Sequence, residues 1–260
     1  MIYYKSKEEI ELIRESSLIV ARALAEVAKH MKPGVKTKHL DKIAEDFITD
    51  NGGKPGFKGY NGFPATLCIS INEQVVHGIP GDREIEDGDI VSVDCGVLKN
   101  GYYGDSAYTF PIGNVKPETL KLLEETKTSL FKAIDQAVEG KRLGDIGNAV
   151  QSHVEKFGFS VVRDLVGHGI GKNLHEKPNV LNYGKKDIGL KLKEGLVLAI
   201  EPMINLGSFN IIQENDKWTI RTLDKMPSAH YEHTVAIGKY KADILSSFKY
   251  IEEVLSLQKN

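Results

Sequence analysis

Apolar residues recur at Ile10, Ile13, Val20, Leu24, Val27 and Met31, the stripe of an amphipathic helix. Ser6 and Glu9 form a capping box at its start, and Pro33-Gly34 ends it. The pattern predicts a second helix over about Lys38 to Thr49, stopped by Asn51-Gly52-Gly53. After a Gly/Pro/aromatic loop, KPGFKGYNGFP, the period changes to that of strands, at about 65–72, 89–98 and 102–110. Pro117 opens a third helix that runs to about Ala137, and a fourth covers about Asp145 to Phe157, with Gly158 as its stop. Strands return at about 159–166, 195–204, 217–222 and 230–237, and an amphipathic segment closes the chain. Helices followed by strands, twice over, define an α+β class.

The two halves echo each other. GVKTKHLDKIA from Gly34 aligns with GKRLGDIGNAV from Gly140, an offset of 106, and GDIVSVD from Gly88 aligns with GLVLAIE from Gly195, an offset of 107. Near-identical offsets point to an internal duplication. No stretch between the halves has the composition of a flexible tether. The expectation is one pseudo-twofold domain over residues 1–260, with related halves at about 1–112 and 113–260.

Bulk composition narrows the function. The 260 residues carry a net charge of −2, with 27% charged and 41% hydrophobic positions, an ordinary globular balance. No basic stripe marks a nucleic-acid site. The N-terminus lacks the apolar segment of a signal peptide, and apolar runs such as LVLAI are too short to span a membrane. Cys68 and Cys95 have no metal or redox spacing and read as buried free thiols in a reducing cytosol.

Chemistry concentrates where carboxylates interrupt apolar strands. Asn100-Gly101 signals a two-residue type I′ hairpin loop, which pairs Lys99 with Tyr102 and Asp105 with Gly96. Asp94 and Gly96 share a face. Asp94 and Asp105 are then diagonal neighbours, roughly 7–8 Å apart at Cα, in reach of a shared cation. A pair of solvated hairpin acids is the alternative for these two alone. The repeat places Glu201 where Asp94 stands, and His168 and Glu232 also interrupt strand sequence. Four carboxylates and one imidazole form a hard donor set, suited to Mn²⁺, Fe²⁺, Co²⁺ or Zn²⁺ at a two-metal site rather than to a structural zinc. His77 and His175 each end an apolar segment, and His30, His39, His153, His230 and His233 read as structural or surface residues. No G-x-S-x-G elbow, P-loop or dinucleotide fingerprint is present.

With YNGFPATLCISINEQVVHGIP, DCGVLKNGYYGDSAYTF, GHGIGKNLHEKP, AIEPM and SAHYEHT in this order, the chain resembles the type I methionine aminopeptidases of the pita-bread metallopeptidase family. The resemblance covers almost the whole chain. It implies a fold of two related halves with helices packed on a curved antiparallel sheet. It implies removal of N-terminal methionine from nascent proteins and peptides, with a preference for a small second residue. Asp94, Asp105 and Glu232 would hold one metal, and Asp105, His168, Glu201 and Glu232 the other. The metals admitted are Co, Mn, Fe, Zn and Ni. Glu201 would also shuttle a proton, His77 would contact the scissile amide, and His175 would hydrogen-bond the carbonyl oxygen. Tyr60, Phe63, Cys68 and Trp218 match the family's methionine pocket, with Phe57 at its rim. Phe57 stands where several relatives have cysteine, and Leu174 where an aromatic is common. Asn72 and Ser228 match positions that bind a monovalent cation in some relatives. The resemblance further implies a cytoplasmic monomer acting on chains near the ribosome.

Two rivals compete with this reading. X-Pro peptidases (prolidase and aminopeptidase P) share the five ligands on the same fold. A metal-free binding protein of this fold would have lost them.

Overall fold

The computed structural model describes residues 1–258. Helix α1, Lys7–His30, begins as its sequence dictates. The Glu9 N–H donates to Ser6 Oγ, and the Ser6 N–H donates to the Glu9 carboxylate. Helix α2, Thr37–Asp50, ends at Asn51, followed by Gly52 in the left-handed region. Helix α3, Pro117–Ile134, carries proline in its first turn. Helix α4, Leu143–Val154, runs into a single tight turn, Glu155–Phe157, closed by left-handed Gly158. Helix α5, Lys249–Gln258, ends the described chain.

The hairpin of strands Ile90–Lys99 and Tyr102–Pro111 dominates the first half. Asn100 and Gly101 both have positive φ, 51° and 80°, which the I′ turn demands. Lys99 faces Tyr102 and Gly96 faces Asp105, as the sequence implies, while Asp94 lies opposite Ala107. The strand Leu67–Ile71 pairs with Ile90–Lys99 on its other edge. Helix α1 lies against this sheet at Gly104, where a Cβ would sit 2.3 Å from the Ser17 backbone nitrogen. Only glycine allows that approach.

The second half centres on a five-stranded sheet. Its order is Asp243–Ile244, His233–Ala236, Val197–Ile200, Gly167–Gly169 and Glu176–Val180. The two halves meet along a polar seam. Asp105 N–H donates to Thr234 Oγ1 at 3.1 Å, and that hydroxyl donates back to the Asp105 carbonyl at 2.8 Å. Ser106 Oγ donates to the Glu232 carbonyl at 2.7 Å, and Thr109 Oγ1 to the His230 carbonyl at 2.7 Å. One apolar core continues through both halves, from Leu24, Ile69 and Val93 to Leu130, Val150 and Ile200.

The sequence echo has a counterpart in hydrogen bonding. Gly34 N–H donates to Ile85 O and Ile85 N–H to Val35 O; Gly140 N–H donates to Leu192 O and Leu192 N–H to Lys141 O. Thr37 N–H on Arg83 O likewise matches Leu143 N–H on Leu190 O.

Several strand expectations change. The segment expected at 159–166 pairs only at Ser160–Val161. The strand expected at 195–204 breaks at Glu201-Pro202 into Val197–Ile200 and Met203–Asn205, since proline offers no N–H to the ladder. The strand expected at 230–237 is interrupted at Tyr231 and Glu232, between Ser228–His230 and His233–Ala236. Of 217–222 only Ile220–Thr222 is paired. The breaks fall at Glu201 and Glu232, where the chain leaves the ladder.

Candidate metal centre and substrate cavity

Asp94 and Asp105 arrive from the two strands of the hairpin, His168 from Gly167–Gly169, and Glu201 and Glu232 from the two strand breaks. All five line one cavity of about 230 Å³. Asp105, His168 and Glu232 offer ligand atoms that all lie within 4.8 Å of one another. Glu201 Oε1 lies 3.5 Å from His168 Nε2.

The electrostatics of this cluster ask for a cation. Burial raises the carboxyl pKa of Asp94, Asp105, Glu201 and Glu232, and for Asp105 and Glu232 the neighbouring acids push further in the same direction. Among the described residues, Asp94 Oδ1, Asp105 Oδ1 and Glu232 Oε1 are buried with no hydrogen-bond partner. Buried polar atoms are seldom left this way. Three such oxygens converging on one cavity fit a hard divalent cation. The histidine fits as well. Burial lowers the His168 pKa to about 3, so the ring stays neutral. Its Nδ1 lies 3.0 Å from the Gly169 carbonyl, which assigns the N–H to Nδ1 and leaves the Nε2 lone pair free for a metal.

Above the acids the cavity is walled by two histidines and an apolar slot. His77 stands at φ 60° on the cavity wall, with its pKa lowered to about 4 by burial. His175 Nδ1 lies 2.8 Å from the Tyr60 hydroxyl, and its ring packs edge-on against His168 at 4.3 Å between centroids. A Tyr60 O–H that donates into Nδ1 puts the His175 proton on Nε2. Phe63 and Trp218 meet edge to face at 5.1 Å. Cys68, Phe57, Tyr60, Leu174 and the polar Asn61 complete the lining, so every residue expected of the substrate pocket is in one place. Cys68 pairs with Asp94 across the strands, which puts a thiol beside the acids. Asn72 and Ser228 are also neighbours, since the Ser228 N–H donates to the Asn72 carbonyl at 2.9 Å.

His230, which the sequence suggests is structural or superficial, borders the centre instead. It is buried, and its Nε2 lies 3.6 Å from Glu201 Oε2 with no hydrogen-bond partner of its own. The alternation of HYEHT carries the signal, since it puts His230 on the same face as Glu232. Asn182 is a second residue that sequence reasoning misses. Its Nδ2 donates to the Glu201 carbonyl at 3.0 Å and fixes the backbone at the strand break. A lone Asn in loop sequence gives no warning of that.

Comparison with known proteins agrees with this geometry. The model of metallopeptidase family M24 matches residues 11–239. The chain belongs to that family. Within it, the chain falls among the type I methionine aminopeptidases. It is 50% identical to methionine aminopeptidase 1 of Bacillus subtilis (strain 168), over 95% of this chain and 99% of that protein. The crystal structure of methionine aminopeptidase from Rickettsia prowazekii superimposes with a TM-score of 0.93 at 40% identity, covering 95% of this chain and all of that one. The prolidase from Pyrococcus furiosus shares the fold at a TM-score of 0.77 and 24% identity, and this chain covers 65% of it.

Proposed function

We propose that this chain removes the N-terminal methionine from peptides and nascent proteins by hydrolysis at a dinuclear metal centre. The observation that carries the reading is the convergence of orphaned acid oxygens in a cavity whose remaining lining is largely apolar and aromatic. Asp94, Asp105 and Glu232 would hold one ion and Asp105, His168, Glu201 and Glu232 the other, with Asp105 and Glu232 common to both sets. Two divalent ions drawn from Co, Mn, Fe, Zn and Ni would, when bound, acidify water near neutral pH and polarise the substrate carbonyl.

The chain's own groups supply the rest. The Phe63–Trp218 edge, Tyr60, Phe57 and Cys68 receive the methionine side chain, whose sulfur favours aromatic edges. The four acids belong to the cavity lining, so a free amine directed at Asp94 is stabilised where a neutral peptide nitrogen is not. That explains cleavage at the terminus alone. The cramped space beside the acids favours a small second residue. Glu201 takes the proton of the attacking water and passes it to the leaving amine. His175 Nε2–H donates to the carbonyl oxygen as charge builds there, and His77 positions the scissile amide.

The reading extends to the whole chain. Residues 1–260 act as one catalytic domain, with both halves contributing ligands. A monovalent cation near Asn72 and Ser228 would brace the strand ends beside the centre. Among the described residues no helix is long and apolar enough to cross a membrane. A monomer working in the cytoplasm, on chains emerging from the ribosome, is the setting proposed.

Purified protein titrated with Mn²⁺ or Co²⁺ should cleave Met-Ala-Ser and leave Ala-Pro-Ala intact. Cleavage of Ala-Pro-Ala in preference would move the reading to the X-Pro peptidases. Protein that binds no divalent metal and cleaves neither peptide would overturn the enzymatic reading altogether.

A further inference from the structure

The segment that carries His175 is fastened to the far end of the chain. Glu176, the next residue, accepts from Lys5 Nζ at 2.7 Å through Oε2, and both side chains are 4% exposed. Its Oε1 accepts the Asn173 N–H at 3.1 Å, closing the turn that leads to His175. Lys5 Nζ also donates to the Tyr3 carbonyl, and the Lys5 N–H donates to the Gly195 carbonyl at 2.6 Å. Gly171 is pressed between the partners, since a Cβ there would lie 2.6 Å from Lys5 Cε and 2.9 Å from Glu176 Oε1. The Gly171 carbonyl accepts from the Tyr103 N–H at 2.8 Å, which ties the turn to the hairpin. Ile2 forms a bridge with Lys177 beside it.

We propose that Lys5 is a positioning residue for His175. The proposal rests on the reading that His175 donates to the substrate carbonyl. Among the described residues the His175 ring has one side-chain hydrogen bond, to Tyr60, and packs against the rings of Tyr60 and His168; the rest of its placement comes from the backbone of Asn173–Glu176. Exposed ion pairs contribute little, but a buried carboxylate that loses its cation must move toward water or take a proton. Here either response loosens the turn one residue from His175. The four carboxylates proposed to hold the metals come from other segments; His168 lies next to Gly169, which pairs with Glu176, and is held by its own Nδ1 contact to the Gly169 carbonyl. Losing Lys5 therefore slows the step that needs the carbonyl donor and spares metal binding.

The test uses the full chain loaded with Mn²⁺ and Met-Ala-Ser as substrate. Lys5→Met and Glu176→Gln should each lower kcat about 10- to 100-fold, the scale on which misplacement of about 1 Å acts. KM and the calorimetric Mn²⁺ affinity should stay at wild-type values. Lys5→Arg, which keeps the charge, should restore most of kcat. In the metal-free protein the His175 imidazole ¹⁵N resonances should shift in the first two variants and not in the third. A Lys5→Met protein that is folded by circular dichroism and has wild-type kcat would overturn the proposal. Should Lys5→Met fail to fold, Glu176→Gln decides by the same criterion, because it keeps the volume and an acceptor for Asn173. His175→Ala separates the two levels of argument. If it keeps full activity, the reading of His175 fails. If it is inactive while Lys5→Met is unimpaired, only the role of Lys5 fails.

Discussion

Asp105→Asn should change the protein in opposite directions with and without metal. Asp105 is 3% exposed and shares its cavity with Asp94, Glu201 and Glu232. Its ligand oxygen and that of Glu232 lie within 4.8 Å. At that separation and an effective dielectric constant of about 20, two full charges repel by roughly 3–4 kcal/mol. Shared protons relieve part of this, so removing one charge should stabilise the metal-free protein by about 1–3 kcal/mol. The new amide also donates to a neighbouring carboxylate. For a chain of this size the gain corresponds to a rise in Tm of roughly 2–12 °C.

The gain depends on pH. Carboxyls that bind protons more tightly in the folded chain contribute their full stability below the unfolded values, near pH 4. They lose it as pH rises through the folded values, about 7 for Asp94 and about 8 for Glu201. The metal-free wild type should therefore weaken between about pH 4 and pH 8, and the advantage of Asp105→Asn should be largest at pH 8. With Mn²⁺ the order should reverse, because the variant lacks one carboxylate of the proposed metal-binding set and its affinity should fall by at least about 100-fold. Scanning calorimetry at pH 5 and pH 8, in EDTA and in Mn²⁺, reads all four conditions. A variant that is less stable in EDTA at pH 8, yet gains as much from Mn²⁺ as the wild type, would refute the electrostatic account of the site.

Two further outcomes test the pocket and its support. Trp218→Ala removes the edge-to-face partner of Phe63 and should raise KM for methionyl peptides about tenfold, with kcat little changed; steady-state kinetics showing an unchanged KM would remove Trp218 from the substrate slot. Asp41 Oδ1 accepts from the backbone N–H groups of Thr66 and Leu67 at 2.9 and 2.7 Å, where the strand toward Cys68 begins. Asp41→Ala should cost about 2–3 kcal/mol in urea unfolding, and a loss below about 0.5 kcal/mol would show that water replaces the carboxylate there.

Legibility in the sequence follows the strength of local signals. The hairpin register is readable because Asn100-Gly101 fixes the loop and alternation fixes the face, so the placement of Asp94 and Asp105 follows from residue order alone. The helices are readable from their stripes and caps, with ends displaced by a few residues. The strand Glu176–Val180 is not, because EKPNV carries charge, proline and no alternation. It forms because Gly167–Gly169 offers it an edge, a long-range fact that local propensity does not encode. His230 is hard to place for a related reason. Its partner Glu201 lies 29 positions away, and only the broken ladder brings them together. Lys5 reads as one more charge before a helix, and nothing nearby in sequence names Glu176 as its partner.

The polar seam also bears on the order in which the chain comes together. The hydrogen bonds that repeat in each half close loops of about fifty residues, such as Gly34 to Ile85 and Gly140 to Leu192. Those that join Asp105 to Thr234 and Ser106 to Glu232 close loops of more than 120 residues. Shorter closures are entropically cheaper and form sooner. Each half can therefore gather its own sheet and its own pair of acids, Asp94 with Asp105 and Glu201 with Glu232, before the two pairs meet. The crowding of all four carboxylates arises when the halves dock through the seam. The acids proposed to hold the metals are complete only once Glu232 has joined the rest, so on the proposed function catalytic competence arrives late in synthesis.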